Sequence, residues 1–243
     1  MKIIGTELYS HGFESAVNEF LKLLIGPPKN LLISASDANV LVLAKENENF
    51  KKITEDYYSH FPDGMPSVWM LRLKGSKTAT RVGGPDFFKR IIHETVATDA
   101  KHFLCGGAEG VANSLKKTCE SWGNNQVVGT FCPPYKDLSE EEIKDIANII
   151  NESGATVLWI GLGAPKQLYF AHRIARYTKV HAILTIGAAF DFHTDRVKKA
   201  PMWIQSIGME WFYRLTQEPK RLFKRYAKVV PKFIYYNIVD RSH

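Results

Sequence analysis

Long apolar runs are missing from this chain of 243 residues, and cysteine is scarce. No stretch of 18 or more consecutive apolar residues occurs, so the sequence offers no obvious membrane-spanning helix. The three cysteines, Cys105, Cys119 and Cys132, are odd in number and lack zinc-ligand spacing, which predicts a reduced, cytoplasmic compartment. The first residues, MKIIGTELYSHGFES, contain no apolar signal-peptide core, so we expect no secretory leader.

The motifs of several common enzyme classes are also missing. There is no Ser-His-Asp signature, no HExxH helix and no Walker lysine motif. In GLGAPK, Lys166 occupies the third glycine position of a dinucleotide fingerprint, so a nicotinamide cofactor is poorly supported. The sequence has no DxD-like diphosphate motif, and Asp191 and Asp195 in DFHTD are poor metal ligands. We therefore expect no metal ion and no organic cofactor.

Negative charge is scarce towards the C-terminus. From Arg196 onward, eleven lysines and arginines face three acids, whereas the first 195 residues hold 21 bases and 22 acids. This asymmetry predicts a near-neutral body at residues 1–200 and a cationic appendage at residues 201–243.

Two interpretations of the appendage remain open. The segments MEWFYRL and PKRLFKRYAKVV predict two helices, with Pro219 in a first turn and Pro231 ending the second helix. They form either a helical pair with a solvated basic face or an interfacial segment on an anionic membrane, and their aromatic residues favour the second. No recognition motif accompanies the charge, so we expect no nucleic-acid partner.

Apolar segments alternate with small-residue turns and amphipathic stretches along the body. The pattern predicts an α/β fold with a Rossmann-like, doubly wound, mainly parallel sheet. In LSEEE, Ser139 and Glu142 predict a capping box at a helix start. The strand segments are NLLISAS, KHFLCGG, QVVGTFCPPY, ATVLWIGLG and VHAILTIGAAF.

Ligands of such sheets bind outside the carboxyl ends of the strands, so the turns that follow the strands are the candidate site. Glycines at a helix start expose backbone N–H groups that suit a phosphate, although any one of them is equally explained as a cap or tight turn. The turns in question are Ser34–Ser36, Gly106–Gly110, Gly129–Pro134, Gly161–Gln167 and Gly187–Asp191.

Two further residues lie in turn-rich stretches. Asp63 precedes Gly64 in FPDGMPSVW, which is explained by an ordinary Asp-Gly turn or by a functional carboxylate. Arg81 precedes a Gly-Gly-Pro bend in RVGGPDFF, where it either clamps a phosphate or pairs with a carboxylate.

The ordered set of segments resembles one family, the WecG/TagA/CpsF glycosyltransferases. The resemblance runs from about residue 30 to residue 226 and rests on FPDGMPSVW, RVGGPDFF, LCGGAEGVA, WIGLGAPKQ, GAAFDF and VKKAPMWIQSIGMEWFYRLTQEPKRLFKRY. It implies an inverting, metal-independent enzyme that moves a sugar from a UDP-sugar to a polyprenyl-diphosphate-linked saccharide during cell-surface polysaccharide synthesis. It also implies a peripheral location on the anionic inner face of the cytoplasmic membrane.

The resemblance assigns roles residue by residue. It places the family's catalytic aspartate on Asp63 and its arginine on Arg81, and it implies that the appendage helps complete the site. Ser36 stands where the family usually has asparagine, and Leu168 where it often has glutamate, so the donor sugar stays open. The expected donor-binding residues are Ser34, Ser36, Gly106, Gly107, Gly110, Gly161, Gly163, Pro165, Gln167, Gly187, Phe190 and Asp191, and those expected at a diphosphate, the acceptor or the membrane are Arg214, Arg221 and Arg225.

Two questions stay open at the level of sequence. Two motif variants, DGMP at residues 63–66 and DFH at residues 191–193, look closest to the exopolysaccharide-type members of the family, some of which transfer glucose. A noncatalytic nucleotide-sugar-binding or membrane-adaptor protein would share the fold, but the presence of Asp63 argues against it. Assembly into a homo-oligomer is compatible with the sequence.

Overall fold

A computed structural model describes residues 1–201, 203–204 and 208–239, with the backbone alone for Arg221. Its strands are β1 (Lys2–Ile3), β2 (Thr6–Glu7), β3 (Leu31–Ser36), β4 (Ser59–Pro62), β5 (His102–Gly106), β6 (Val127–Phe131), β7 (Val157–Gly161) and β8 (Ala182–Thr185). Strands β1 and β2 form a small antiparallel hairpin, and the other six form a parallel sheet in the order β4-β3-β8-β7-β5-β6. The predicted Rossmann-like α/β fold is confirmed.

Helices cover both faces of this sheet. In chain order they are α1 (Phe13–Leu23), α2 (Ala38–Glu46), α3 (Glu48–Glu55), α4 (Met65–Leu73), α5 (Gly84–Glu94), α6 (Val111–Ser121), α7 (Glu140–Glu152), α8 (Lys166–Ile174), α9 (Ala189–Phe192), α10 (Glu210–Gln217) and α11 (Pro219–Val239). Apolar side chains of α1, α5, α6 and α9 pack into one core, and those of α2, α3, α7 and α8 pack into the other. The parallel strands are therefore buried between two helical layers.

The predicted capping box starts α7. The Ser139 hydroxyl accepts a hydrogen bond from the Glu142 N–H (3.2 Å), and the Glu142 carboxylate accepts one from the Ser139 N–H (2.8 Å). Two of the N–H groups that a helix start leaves unpaired are thereby satisfied. Ile143, Ile146 and Ile150 then recur at helical spacing and are buried against the sheet.

Helix α11 runs through Pro231, so the predicted helix end at that proline is wrong. A proline inside a helix removes one backbone hydrogen bond and costs about 3 kcal/mol or more. Here Val229 and Phe233, on either side of the proline, are buried with apolar residues of α2 and α4. Glu46 of α2 additionally binds Lys232 and Tyr236. Packing on the body thus stabilises the helix on both sides of the proline, while the predicted helix start at Pro219 is confirmed.

The appendage is described only in part. Residues 202, 205–207 and 240–243 lie outside the described residues, and the division of the chain at residue 200 stays a prediction. Within the described ranges, no helix combines the length and the apolar character needed to cross a bilayer.

Candidate functional site

The carboxyl edge of the sheet contains a point where the chain connections diverge. Strand β5 leads outward to its neighbour β6, while the adjacent β7 leads towards β8 on the other side. The two turns touch, because the N–H of Gly107 donates to the carbonyl of Gly161 (2.8 Å). A Cβ atom on Gly106 would lie 2.6 Å from that same carbonyl oxygen, so the close approach requires glycine. Open α/β sheets bind ligands in the crevice at such a point.

Phe190 supports these turns from below. Its ring is buried in the core, and a Cβ atom on Gly161 would lie 2.5 Å from the Phe190 Cδ2 atom. Its contacts therefore indicate packing beneath the turns, and its predicted contact with a donor stays a prediction.

A cavity of about 1660 Å³ opens above this edge. It is lined by the turns after β4, β5, β6, β7 and β8 and by parts of α4, α10 and α11. The predicted site residues that line it are Asp63, Arg81, Gly107, Gly161, Gly163, Gln167, Gly187, Asp191, Arg214 and Arg225.

Four other predicted residues are not among those that line the cavity. Ser34 and Ser36 are fully buried, with their hydroxyls 3.1 Å apart and the Ser36 Oγ 2.9 Å from the Nδ1 of His60. Gly110 has a φ of 79° and is the N-cap residue of α6, and Pro165 is the N-cap residue of α8. Their roles in donor binding stay predictions.

Asp63 and Arg81 are in direct contact. Asp63 follows edge strand β4, a strand that sequence reasoning missed. The Asp63 Oδ1 accepts a hydrogen bond from the N–H of Gly84 (3.1 Å). The Arg81 Nε donates a hydrogen bond to the backbone carbonyl of Asp63 (2.5 Å). The Arg81 Nη2 lies 3.7 Å from Oδ1, and the Asp63 side chain keeps 30% exposure to the cavity.

Arg81 binds two more carboxylates from different parts of the chain. Its Nη1 lies 3.2 Å from Asp86 on α5, and its Nη2 lies 3.0 Å from Glu210 on α10. Asp86 is also bound by Lys199. The pairing of Arg81 with carboxylates, one of the two alternatives for this residue, is observed. Glu210 was not predicted, because nothing in its local sequence relates it to a turn more than a hundred residues earlier.

These charges act on Asp63 in opposite directions. Burial raises the pKa of its carboxyl, the Arg81 guanidinium lowers it, and the negative charges of Asp37 and Glu210 raise it again. The net effect is a pKa above the ordinary aspartate value. A carboxylate with a raised pKa accepts protons more readily than an ordinary one.

Gln167 and Asp191 line the neighbouring part of the cavity. The buried Gln167 accepts a hydrogen bond from the N–H of Gly187 (3.0 Å) through Oε1, which ties the turn after β7 to the turn after β8. The Asp191 carboxylate is partly exposed and lies 3.6 Å from Arg196 Nε.

Two appendage arginines line the cavity, and each has one hydrogen-bond donor without a partner. The guanidinium of Arg214 lies over the ring of Phe192, and that of Arg225 lies over Tyr226. Both Nε atoms are buried without a partner, although leaving a buried donor unpaired typically costs about 1–3 kcal/mol. Such donors suit an anionic ligand. The side chain of Arg221 lies outside the described residues.

Comparison with known proteins gives the family of this chain. The sequence model of the "Glycosyl transferase WecG/TagA/CpsF family" matches residues 1–242 of this chain. This chain belongs to that family. One relative, the N-acetylglucosaminyldiphosphoundecaprenol N-acetyl-beta-D-mannosaminyltransferase of Bacillus subtilis (strain 168), is 26% identical over 203 residues, which cover 83% of this chain and 77% of the relative.

This glycosyltransferase also presents an aromatic platform that sequence reasoning did not single out. Tyr135, after β6, is 93% exposed at the cavity, and the Lys166 Nζ lies 3.8 Å from the centre of its ring. A large aromatic side chain left so exposed is suited to stacking against a planar ligand.

Carboxylates and imidazoles are spread out rather than clustered. Across residues 1–201, 203–204 and 208–239, no group of three His, Cys, Asp or Glu side chains has an arrangement that could hold a metal ion. Positive charge at the cavity comes from side chains such as Arg81, Lys166, Arg214 and Arg225.

Replacing Gly161 by alanine is expected to destabilise the protein by about 1–3 kcal/mol, because the new methyl group would overlap the buried Phe190 ring. The matched control is Gly64→Ala, where the nearest atom to the new Cβ is Pro66 Cδ at 3.6 Å. Neither glycine has a positive φ, so the pair isolates the steric effect. Denaturant unfolding measures both variants, and equal stabilities would refute the packing role of Phe190.

Proposed function

We propose that this glycosyltransferase moves a sugar, with inversion, from a UDP-sugar to a polyprenyl-diphosphate-linked saccharide. The observation that carries the proposal is the largely buried Asp63–Arg81 pair in one cavity with the glycine turns of β5 and β7. Those turns suit a nucleotide donor, and the pair suits activation of an acceptor hydroxyl.

Asp63 acts as the general base in this proposal. It takes the proton of the acceptor hydroxyl while the hydroxyl oxygen attacks the anomeric carbon of the donor. The bond from that carbon to the diphosphate oxygen breaks, and UDP leaves with the bonding electrons. Burial and neighbouring carboxylates raise the basicity of Asp63, while Arg81 favours its ionised form.

The leaving diphosphate requires positive charge. Arg214 and Arg225 have buried, unpaired Nε donors at the cavity, and Lys166 lies beside the exposed Tyr135 ring. We place the uracil against Tyr135, so that the diphosphate crosses the glycine turns and meets the arginines. Preorganised cations of this kind stabilise negative charge as it develops.

The appendage also suits contact with a membrane. Trp203, Phe212 and Phe223 are exposed, and Lys220 and Lys224 are exposed on the same segment. Aromatic and basic side chains together bind the interface of an anionic leaflet. We propose that the enzyme works as a peripheral protein on the inner face of the cytoplasmic membrane, where its lipid-linked acceptor would be reached.

The substrates are tested with a panel of UDP-sugars and a saccharide-diphosphate-lipid acceptor. The name of the Bacillus subtilis relative makes N-acetylmannosamine the first sugar to assay, with an N-acetylglucosaminyl-diphosphate acceptor. Glucose is the second, because the DGMP and DFH variants look closest to the exopolysaccharide-type members of the family, some of which transfer glucose. Turnover of one UDP-sugar that depends on the acceptor supports the proposal. Absence of transfer from every donor of the panel contradicts it.

The variant Asp63→Asn is expected to lose about 10²–10⁴-fold in turnover while it keeps the fold and UDP binding, because only the base is removed. The control is Asp56→Asn, which removes an exposed carboxylate paired with His172. Steady-state transfer and UDP titration measure both variants. Near-wild-type turnover by Asp63→Asn would exclude this residue as the base.

Transfer is expected to survive chelation, because the cationic side chains at the cavity take over the role of a metal ion at the diphosphate. The measurement is the transfer rate after dialysis against EDTA, compared with an untreated sample. A loss of activity that magnesium or manganese restores would show that the reaction needs a metal.

A further inference from the structure

Part of the cavity lining is apolar. It includes Trp69 and Leu73 of α4 and Val230, Ile234 and Ile238 of α11. All five side chains are exposed and apolar. Exposed apolar side chains that line the same cavity as a candidate active site are a strong indication of a ligand-binding groove.

The three α11 residues form one stripe, because they are spaced four residues apart along the helix. We call Val230, Ile234 and Ile238 the apolar stripe. Neighbouring Tyr235 is as exposed as Ile234, at 61% against 54%, but it does not line the cavity. The stripe is therefore distinguished from other exposed apolar residues by its place at the cavity.

Chemical character changes in a fixed order along the appendage. Glu210, at the start of α10, meets Arg81 beside Asp63. Arg214 and Arg225 follow with their unpaired Nε donors, and the apolar stripe comes last. From Arg225 to Ile238 the helix rises by about 20 Å, so the apolar part extends well beyond the cationic part.

We propose that the apolar stripe, together with Trp69 and Leu73, binds the first isoprene units of the acceptor's polyprenyl chain. The proposal rests on the proposed function and deepens it. An acceptor with a saccharide, a diphosphate and a hydrocarbon tail has the same order of chemistry as the cavity. The saccharide then meets Asp63, and the acceptor's diphosphate lies beside the same arginines that meet the donor's diphosphate. The tail covers the stripe.

Such a groove would make the enzyme recognise the tail itself, not only the membrane that contains it. Burial of apolar surface contributes about 25 cal/mol per Å², so a short prenyl tail already strengthens binding. The groove lies away from the reacting atoms. Its loss should therefore raise the KM for prenylated acceptors and leave kcat unchanged.

The test uses two water-soluble acceptors with the same saccharide-diphosphate head, one esterified with a short prenyl chain and one with a methyl group. No membrane is present, so bilayer binding does not enter. Wild-type enzyme is expected to show the lower KM for the prenyl acceptor. Ile234→Glu is expected to raise that KM about tenfold, as for a lost apolar contact, and to leave methyl-acceptor turnover unchanged.

Tyr235→Glu is the matched control, since it places the same charge on the same turn but outside the cavity. It is expected to leave both KM values unchanged. Equal KM values for the two acceptors with wild-type enzyme, or equal effects of the two variants, would overturn the groove while the proposed function stands. Transfer to neither acceptor by wild-type enzyme would instead refute the proposed function.

Turnover of the methyl acceptor shows that each variant is folded, and Ile234→Ala provides a milder change at the same site. Sedimentation at the assay concentration tests whether a second copy of the chain occupies the stripe. If Ile234→Glu dissociates an oligomer without changing the prenyl-acceptor KM, the stripe is an interface between copies and the proposal is wrong.

Discussion

The Arg81 guanidinium joins three parts of the chain at one point. It binds Asp63 after β4, Asp86 on α5 and Glu210 on α10. Charged groups withdrawn from water are tolerated when they are paired and hydrogen-bonded, and Arg81 supplies both the charge and the donors. Because Glu210 and Asp63 share Nη2, the appendage takes part in setting the state of the proposed base. The site we describe therefore depends on the appendage being docked.

The rest of the cavity depends on close backbone contact at the carboxyl edge of the sheet. The turns after β5 and β7 touch through Gly107 and Gly161, with Phe190 packed beneath them. Backbone surface is thereby exposed to a ligand on a rigid support. The two appendage arginines line the same cavity, and their buried Nε donors have no partner, which supports the anionic substrate that we propose. Body and appendage thus supply different parts of one site.

Much of this architecture follows from local sequence, and some of it does not. The buried strands, the glycine turns and the Ser139 cap are predictable, because apolar runs and turn residues act over a few neighbours. Strand β4 was missed because SHFP is short and contains a histidine and a proline. The prediction that the helix ends at Pro231 was wrong, because the packing of Val229 and Phe233 on the body outweighs the helix-breaking tendency of proline. The Arg81–Glu210 contact could not be predicted from local sequence patterns, since it joins residues that are distant in sequence.

The central claim is that Asp63 is a base whose pKa, raised by burial, is adjusted by Arg81 and by the Glu210 that Arg81 also binds. The pH dependence of kcat/KM tests it most directly, because a base works only when deprotonated and the rate falls as the pH drops through its pKa. Burial and neighbouring carboxylates raise the pKa of Asp63, so the acid limb of the wild type should lie above the ordinary aspartate range. In Glu210→Gln, Arg81 pairs more closely with Asp63 and one repelling charge is gone, so the limb should move to lower pH. A limb that stays in place, or moves to higher pH, would contradict the account.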